Sequence, residues 1–121
     1  MEFRLARAED IEGVLALQAK YHVNTILEAD KADGFVTTAF TREDLEKLIS
    51  EEQGLHIGLE GPRVMAYVMA ASWDYWSSWP FFVNMIEGLH ELTYLGQVLD
   101  TKNSYQYGPI CIDKSVRGQG V

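Results

Sequence analysis

The chain has 121 residues, a formal net charge of -8 and 47% hydrophobic residues. This apolar content is enough for one core, so the composition predicts a single globular domain over residues 1–121. The acidic balance argues against nucleic acid, whose phosphates require a basic surface, and favours cationic partners such as amines or basic peptides.

Membrane and metal chemistry are not expected either. No continuous apolar run is long enough to cross a bilayer, and residues 1–4 do not begin a signal peptide, which predicts a cytoplasmic location. Cys111 is the one cysteine, so an internal disulfide and a multi-cysteine zinc site are excluded. His22, His56 and His90 lack the spacing of metal ligands, and no metal is expected.

The N-terminal half shows strand and helix patterns in alternation. Residues 3–7 alternate apolar and charged side chains, which predicts a short half-buried strand. Apolar residues at helical spacing follow an acidic opening and predict a helix from about Ile11 to Gln18. Thr41 and Asp44 have the spacing of a capping box and predict a second helix that ends at Gly54.

A β-hairpin is predicted next. Apolar residues alternate over residues 55–59, Gly61 and Pro62 mark a turn, and residues 64–70 form a nearly continuous apolar run. Such a run is typical of a central strand that is covered on both faces. Residues 105–113 are predicted to form the next strand of the sheet.

The connection between these strands is long and rich in aromatic residues. Trp73, Trp76 and Trp79 lie in a predicted loop, and apolar residues at helical spacing predict a helix within residues 83–99.

The final residues combine an apolar strand with a glycine-rich turn. Gly118 and Gly120 remove side chains where a backbone could approach a phosphate closely. Consecutive main-chain N–H groups in such a turn can form an anion-binding cradle.

This segment resembles the acyl-CoA-binding motif of the GNAT N-acetyltransferase superfamily, which is Gln/Arg-x-x-Gly-x-Gly/Ala after a strand. Residues 117–121 fill its first five positions. The upstream order of strand, helix, helix, strand, strand also resembles that family. The resemblance implies an α+β fold with a mostly antiparallel central sheet flanked by helices. Because the sixth motif position would be residue 122, we expect a domain that is incomplete at the C-terminus, without the motif helix and the following strands, and inactive alone.

The resemblance also implies a reaction. In this family an acetyl group passes from acetyl-CoA to a primary amine, usually by direct attack of the amine on the thioester. Main-chain N–H groups of the motif strand would hold the thioester carbonyl, and the glycine turn would hold the pyrophosphate. The residues expected to bind acyl-CoA are Ile110, Cys111, Ile112, Arg117, Gly118, Gln119, Gly120 and Val121.

The general base is not fixed by the sequence. Tyr107 and Asp113 share one face of the strand with Tyr105 by alternation, and Glu60 closes the preceding strand, so Tyr107, Asp113 and Glu60 are candidates. Each could instead be a packed or solvated residue, and water could carry the proton. Cys111 has no histidine nearby in sequence, which favours an inert packed thiol over a nucleophile. The acid is commonly a tyrosine after the motif helix, and no residue here is assigned that role.

Two further features concern partners. The aromatic faces of Trp73, Trp76 and Trp79 could line the pocket of the amine acceptor, or they could form a dimer surface or a core. A motif strand at an open sheet edge could pair with a second copy, so we expect a homodimer through residues 105–112. A catalytically silent GNAT-like domain that acts through this association is therefore the alternative hypothesis.

Overall fold

The computed structural model describes residues 1–33, 36–118 and 120, without the side chains of residues 33 and 81. The chain divides into two compact units, of which the first comprises Met1–Met69 and Pro109–Val121 and the second Ala70–Gly108. The structure combines helices with a mainly antiparallel sheet, which confirms the predicted α+β class.

The regular elements follow the chain in an order close to the predicted one. The strands are β1 (Glu2–Leu5), β2 (Leu55–Glu60), β3 (Arg63–Ser72), β4 (Thr93–Tyr94), β5 (Gln97–Val98) and β6 (Tyr105–Ile112). The helices are α1 (Ile11–Tyr21), α2 (Arg42–Lys47), α3 (Trp73–Trp76) and α4 (Pro80–Gly88). Short 3₁₀ turns cover Ala8–Asp10, Glu28–Asp33, Leu89–Glu91 and Lys114–Val116.

The larger sheet has the strand order β1-β2-β3-β6. Strands β1 and β2 pair antiparallel, and β2 and β3 form the predicted hairpin, with an irregularity in register between Gly58 and Leu59. Gly61 supplies the left-handed residue of the hairpin turn, with φ of 57°. This order leaves β6 at one edge of the sheet.

Helix α1 packs closely on the sheet. Asp10 precedes it and accepts hydrogen bonds from the Arg7 main-chain N–H at 2.7 Å and from the Arg4 guanidinium at 2.7 and 3.0 Å. A Cβ atom at Gly13 would lie only 2.7 Å from Cγ2 of Val64 on β3. The helix can therefore approach the sheet here because residue 13 has no side chain. The buried residues of α1 are Ile11, Val14, Leu17, Gln18 and Tyr21.

The predicted second helix starts as expected and ends differently. The Thr41 hydroxyl accepts from the Asp44 N–H at 3.1 Å, and the Asp44 carboxylate accepts from the Thr41 N–H at 2.9 Å, which confirms the capping box. After Lys47 the chain widens into a π turn over Leu48–Glu52, and Gln53 takes the left-handed conformation with φ of 49°. The predicted stop at Gly54 is therefore one residue too late, because the wide turn places Gln53 at the helix end.

The second unit has an aromatic core and a small hairpin. The predicted helix over residues 83–99 is wrong in its second half, since α4 ends at Gly88 and β4 and β5 form an antiparallel pair. Leu95 and Gly96 connect that pair with φ values of 51° and 81°. The helical spacing was misleading because Leu92 and Leu95 are 54% and 88% exposed and pack against no core.

Candidate functional site

Strand β6 changes its exposed face part of the way along. Tyr107 and Ile110 are 66% and 51% exposed, whereas Cys111 and Asp113 are each 4% exposed. The predicted common face of Tyr105, Tyr107 and Asp113 is therefore wrong. The exposure changes after Pro109, a residue that has no main-chain N–H to donate to the ladder.

Asp113 follows β6 and is held by its neighbours in the first unit. Its main-chain N–H donates to the Met65 carbonyl at 2.8 Å. Its carboxylate accepts from Lys20 Nζ at 2.6 Å and from the N–H and hydroxyl of Ser115 at 3.0 and 2.8 Å. The carboxylate thus caps the Lys114–Val116 turn and forms an ion pair with α1.

This environment does not suit Asp113 to the role of general base. Burial alone would raise the pKa of Asp113, but the hydrogen bonds from Lys20 and Ser115 outweigh it and lower that pKa to about 2. A carboxylate with so low a pKa accepts protons poorly at neutral pH. We therefore correct the sequence-based interpretation, because the contacts of Asp113 are those of a capping and ion-pairing residue.

Tyr21, at the end of α1, contacts the same segment. Its hydroxyl accepts a hydrogen bond from the Lys114 main-chain N–H at 2.8 Å, and its ring lies 5.1 Å from the Arg117 guanidinium carbon. Arg117 Nε donates to the Ile112 carbonyl at 2.9 Å, and Lys114 Nζ lies 2.7 Å from the Asp30 carboxylate. These contacts connect the end of α1 with the residues between β6 and the glycine turn.

The glycine turn has a conformation that favours glycine. Gly118 and Gly120 both have φ of 79°, and a Cβ atom at either position would meet no atom within 4 Å. The glycines are therefore needed here for the left-handed backbone rather than for space within the chain. Gln119 and Val121, which the resemblance assigns to the same site, lie outside the described residues.

Cys111 belongs to β6, and its buried thiol lies beside Tyr67 of β3. Burial raises the pKa of the Cys111 thiol to about 11 and also raises the pKa of Tyr67. Within residues 1–33, 36–118 and 120, the Tyr67 hydroxyl has no hydrogen-bond partner of ordinary geometry. A buried thiol with a raised pKa is a poor nucleophile, so the geometry favours inert packing for Cys111.

The tryptophans of the second unit form a core. Trp73 and Trp76 are 4% and 0% exposed, and their indole N–H groups donate to Ser104 Oγ at 2.9 Å and to the Gln106 carbonyl at 3.3 Å. The Trp76 ring lies 5.6 Å from the half-buried Trp79. Because Trp73 and Trp76 are enclosed, the structure supports the core interpretation and not an acceptor pocket lined by their faces.

The other two base candidates are exposed. Glu60 ends β2 opposite Arg63, and both side chains face solvent. Tyr107 lies on the exposed face of β6. Neither candidate is therefore enclosed in a site.

A partly open apolar depression is lined by Leu5, Ala6, Ile49, Gln53 and Leu55 and contains none of the predicted site residues. Among the described residues, no group of three His, Cys, Asp or Glu side chains could hold a metal ion. Of the helices in the described ranges, none has the length and apolar character to span a bilayer.

Sequence reasoning missed Lys20, Tyr21 and Asp30. Lys20 and Tyr21 are 93 residues away from their partners Asp113 and Lys114. The position of Tyr21 on the apolar stripe of α1 could have indicated burial, but no local pattern indicates a contact over that separation.

In its fold, the chain resembles a solved protein that is described as GNAT-like. Two solved structures are similar to the chain at this level. A mutant of the protein BH1408 from Bacillus halodurans has a TM-score of 0.56 and 17% identity over 100% of this chain and 67% of its own. The GNAT-like decarboxylase GphF, in complex with isobutyryl-CoA, has a TM-score of 0.55 and 18% identity over 98% of this chain and 51% of its own.

These likenesses are of fold only, because the identities are low. The chain spans about two thirds and one half of these two proteins. A comparison with models of known protein families finds no match, and neither does a comparison with curated protein sequences.

Proposed function

We propose that this chain is the acyl-CoA-binding part of an N-acetyltransferase that transfers an acetyl group from acetyl-CoA to a primary amine. The observation that carries the proposal is the left-handed pair Gly118 and Gly120 directly after edge strand β6 in a GNAT-like fold. A structural neighbour with this fold holds isobutyryl-CoA.

The proposed site relies on main chain more than on side chains. The N–H groups of Ile110, Cys111 and Ile112 would hold the thioester carbonyl, where negative charge develops. The turn from Arg117 to Val121, including Gln119, would hold the pyrophosphate through main-chain N–H groups. The buried Cys111 thiol supports this assignment, because it leaves the strand without a competing nucleophile.

The proposed reaction is a direct transfer. The neutral amine nitrogen attacks the thioester carbon, the C–S bond breaks, and the products are an N-acetylated amine and coenzyme A after the thiolate takes a proton. The attacking ammonium must first lose a proton. Water, Tyr107 or Glu60 would accept it, and Asp113 is not carried forward because its pKa is about 2.

Calorimetric titration of the chain with acetyl-CoA and with coenzyme A tests the binding proposal. We expect saturable binding of both. Absence of heat and of any coenzyme A-dependent thermal shift would refute it. Release of free thiol from acetyl-CoA with a panel of primary amines then tests transfer. Because one fold hosts different acyl-CoA chemistries, isobutyryl-CoA belongs in the same panel.

A second candidate function is association without catalysis, and the position of β6 favours it. The strand lies at the edge of the sheet and exposes Tyr105, Tyr107 and Ile110. An exposed, apolar edge can pair with the same strand of a second copy, which would give a homodimer through residues 105–112. Sedimentation velocity should show a dimer that Ile110→Lys dissociates, whereas a monomer at high concentration would contradict association.

A further inference from the structure

The end of α1 makes three contacts with the segment that leads into the glycine turn. Lys20 Nζ lies 2.6 Å from the Asp113 carboxylate, the Tyr21 hydroxyl accepts from the Lys114 N–H at 2.8 Å, and the Tyr21 ring faces the Arg117 guanidinium at 5.1 Å. We refer to Lys20 and Tyr21 as the α1 bracket.

Local hydrogen bonds hold part of this segment. Among them, Val116 N–H donates to the Asp113 carbonyl at 3.0 Å, Arg117 N–H donates to the Lys114 carbonyl at 3.3 Å, and Ser115 N–H donates to the Asp113 carboxylate at 3.0 Å. A single 3₁₀ turn of this kind is marginal in isolation, because few hydrogen bonds offset the ordering of its backbone. Contacts from outside the segment, such as those from α1, therefore add to its order.

The α1 bracket is well placed to supply that order. Tyr21 is 2% exposed, and its hydroxyl accepts a hydrogen bond from a main-chain N–H of the segment. The Asp113 carboxylate is 5% exposed, so it depends on Lys20 and Ser115 for compensation of its charge. Lys114 of the same turn also forms an ion pair with Asp30 at 2.7 Å.

We infer that Lys20 and Tyr21 are positioning residues for the glycine turn, which they hold in the conformation that receives the pyrophosphate of an acyl-CoA. The inference rests on the proposed function, since the ligand is the one proposed above. If the turn is already ordered in the free protein, ligand binding does not have to offset the entropy cost of ordering it, and the affinity is higher. The bracket therefore acts on the affinity for coenzyme A without contacting it.

Three variants test the bracket. Tyr21→Phe removes the hydroxyl and keeps the ring. Lys20→Met removes the charge and keeps the apolar part of the side chain, whereas Lys20→Arg keeps the charge. Matched controls are Tyr94→Phe, at a residue that is 68% exposed, and Lys47→Met, whose side chain is 53% exposed and lies 3.9 Å from Glu51.

The first readout is the affinity for coenzyme A by calorimetry. Tyr21→Phe and Lys20→Met should each weaken binding about 3- to 10-fold, the equivalent of one lost hydrogen bond. Lys20→Arg should bind within about 2-fold of the unmodified chain, and both controls should be unchanged.

The second readout does not depend on the ligand. Heteronuclear NOE values of the Gly118 and Gly120 amides report fast motion of the turn. They should fall in Tyr21→Phe and Lys20→Met. Amide exchange of the buried Ile57 and Met69 in the sheet reports the loss of global stability in the same variants. Faster exchange in the sheet with unchanged NOE values at the two glycines would mean that the residues only stabilise the fold, and it would overturn the inference.

These experiments distinguish a failure of the proposed function from a failure of the inference about Lys20 and Tyr21. If the unmodified chain does not bind coenzyme A, the proposed function fails, and the NOE values alone decide whether the bracket orders the turn. If coenzyme A binds equally to all variants and the glycine NOE values do not change, the bracket is overturned and the proposed function stands.

Discussion

The Asp113 carboxylate lies 2.6 Å from the Lys20 ammonium, and this contact joins the last turn of α1 to the residue after β6. Because Asp113 is buried, Asp113→Asn should lower the free energy of unfolding by about 1–3 kcal/mol at neutral pH. Asp74→Asn, at an exposed carboxylate, should change it by less than about 0.5 kcal/mol.

The pH dependence of this difference follows from the two pKa shifts. The pKa of Asp113 is lowered from 3.8 to about 2, so its contribution is present above pH 4 and disappears as the pH falls toward 2. The pKa of Lys20 is raised above 10.5, mainly by its hydrogen bond to Asp113, so its contribution is lost only as the pH rises beyond that value. Urea unfolding of both chains between pH 7 and pH 2 should show the difference shrinking only at the acidic end; a constant difference would contradict the ion pair.

The left-handed glycines allow a matched test of the turn. Gly118 and Gly96 have φ of 79° and 81°, and both have open space where a Cβ atom would be. Alanine at either position should cost about 1 kcal/mol of stability, because it disfavours positive φ. Only Gly118→Ala should also weaken binding of coenzyme A, since Gly96 lies in the β4–β5 hairpin. Equal affinities of the two variants would contradict a role of the turn in binding.

The buried thiol of Cys111 should react slowly. Its pKa is raised to about 11 by burial, and a thiol reagent requires both the thiolate and access. At pH 8 we expect the folded chain to react at least 100-fold more slowly than the chain in urea, because about one thiol in a thousand is ionised at three pH units below its pKa. Cys111→Ala should retain acetyl transfer if the chain performs it. Loss of transfer without loss of folding would instead support a covalent intermediate.

Leu95 occupies a backbone conformation that leucine disfavours. It has φ of 51°, is 88% exposed, and precedes Gly96 in a two-residue turn that usually takes Asn-Gly. Leu95→Asn should therefore raise stability by about 0.5–1 kcal/mol. Leu92→Asn is the matched control, because Leu92 is also exposed but has φ of -108°. Thermal unfolding of the two variants distinguishes relief of backbone strain from a general effect of removing exposed leucine.

The parts of the fold that depend on residues close together in the sequence could be predicted. The Thr41 and Asp44 capping box and the hairpin turned at Gly61 are fixed by side chains within a few residues, and both are confirmed. The helix predicted over residues 83–99 is wrong beyond Gly88, because the spacing of apolar residues does not show whether they are buried. The left-handed Leu95-Gly96 turn reverses the chain there, and its leucine is exposed.

In the candidate site, too, features set by residues close in sequence could be predicted, and those set by distant residues could not. Gly118 and Gly120 could be identified from the motif, and their positive φ agrees with a turn after the strand. The change from an exposed Tyr107 to a buried Asp113 depends on which parts of the chain cover each end of β6, and strict alternation does not predict it. The contacts of Lys20 and Tyr21 cannot be predicted from the sequence pattern, because their partners Asp113 and Lys114 lie 93 residues later in the chain.

Gly13 allows the first turn of α1 to lie close to strand β3. Its missing side chain lets the helix rest against Val64, and Lys20 lies two turns further along, a distance of about 10 Å at 1.5 Å per residue. One added methyl group at residue 13 would clash with Val64, so either the Val64 side chain or the helix would have to move. If the helix moved, Lys20 and Tyr21 would move with it, and a substitution in the first turn of α1 would then reach the glycine turn near the end of the chain.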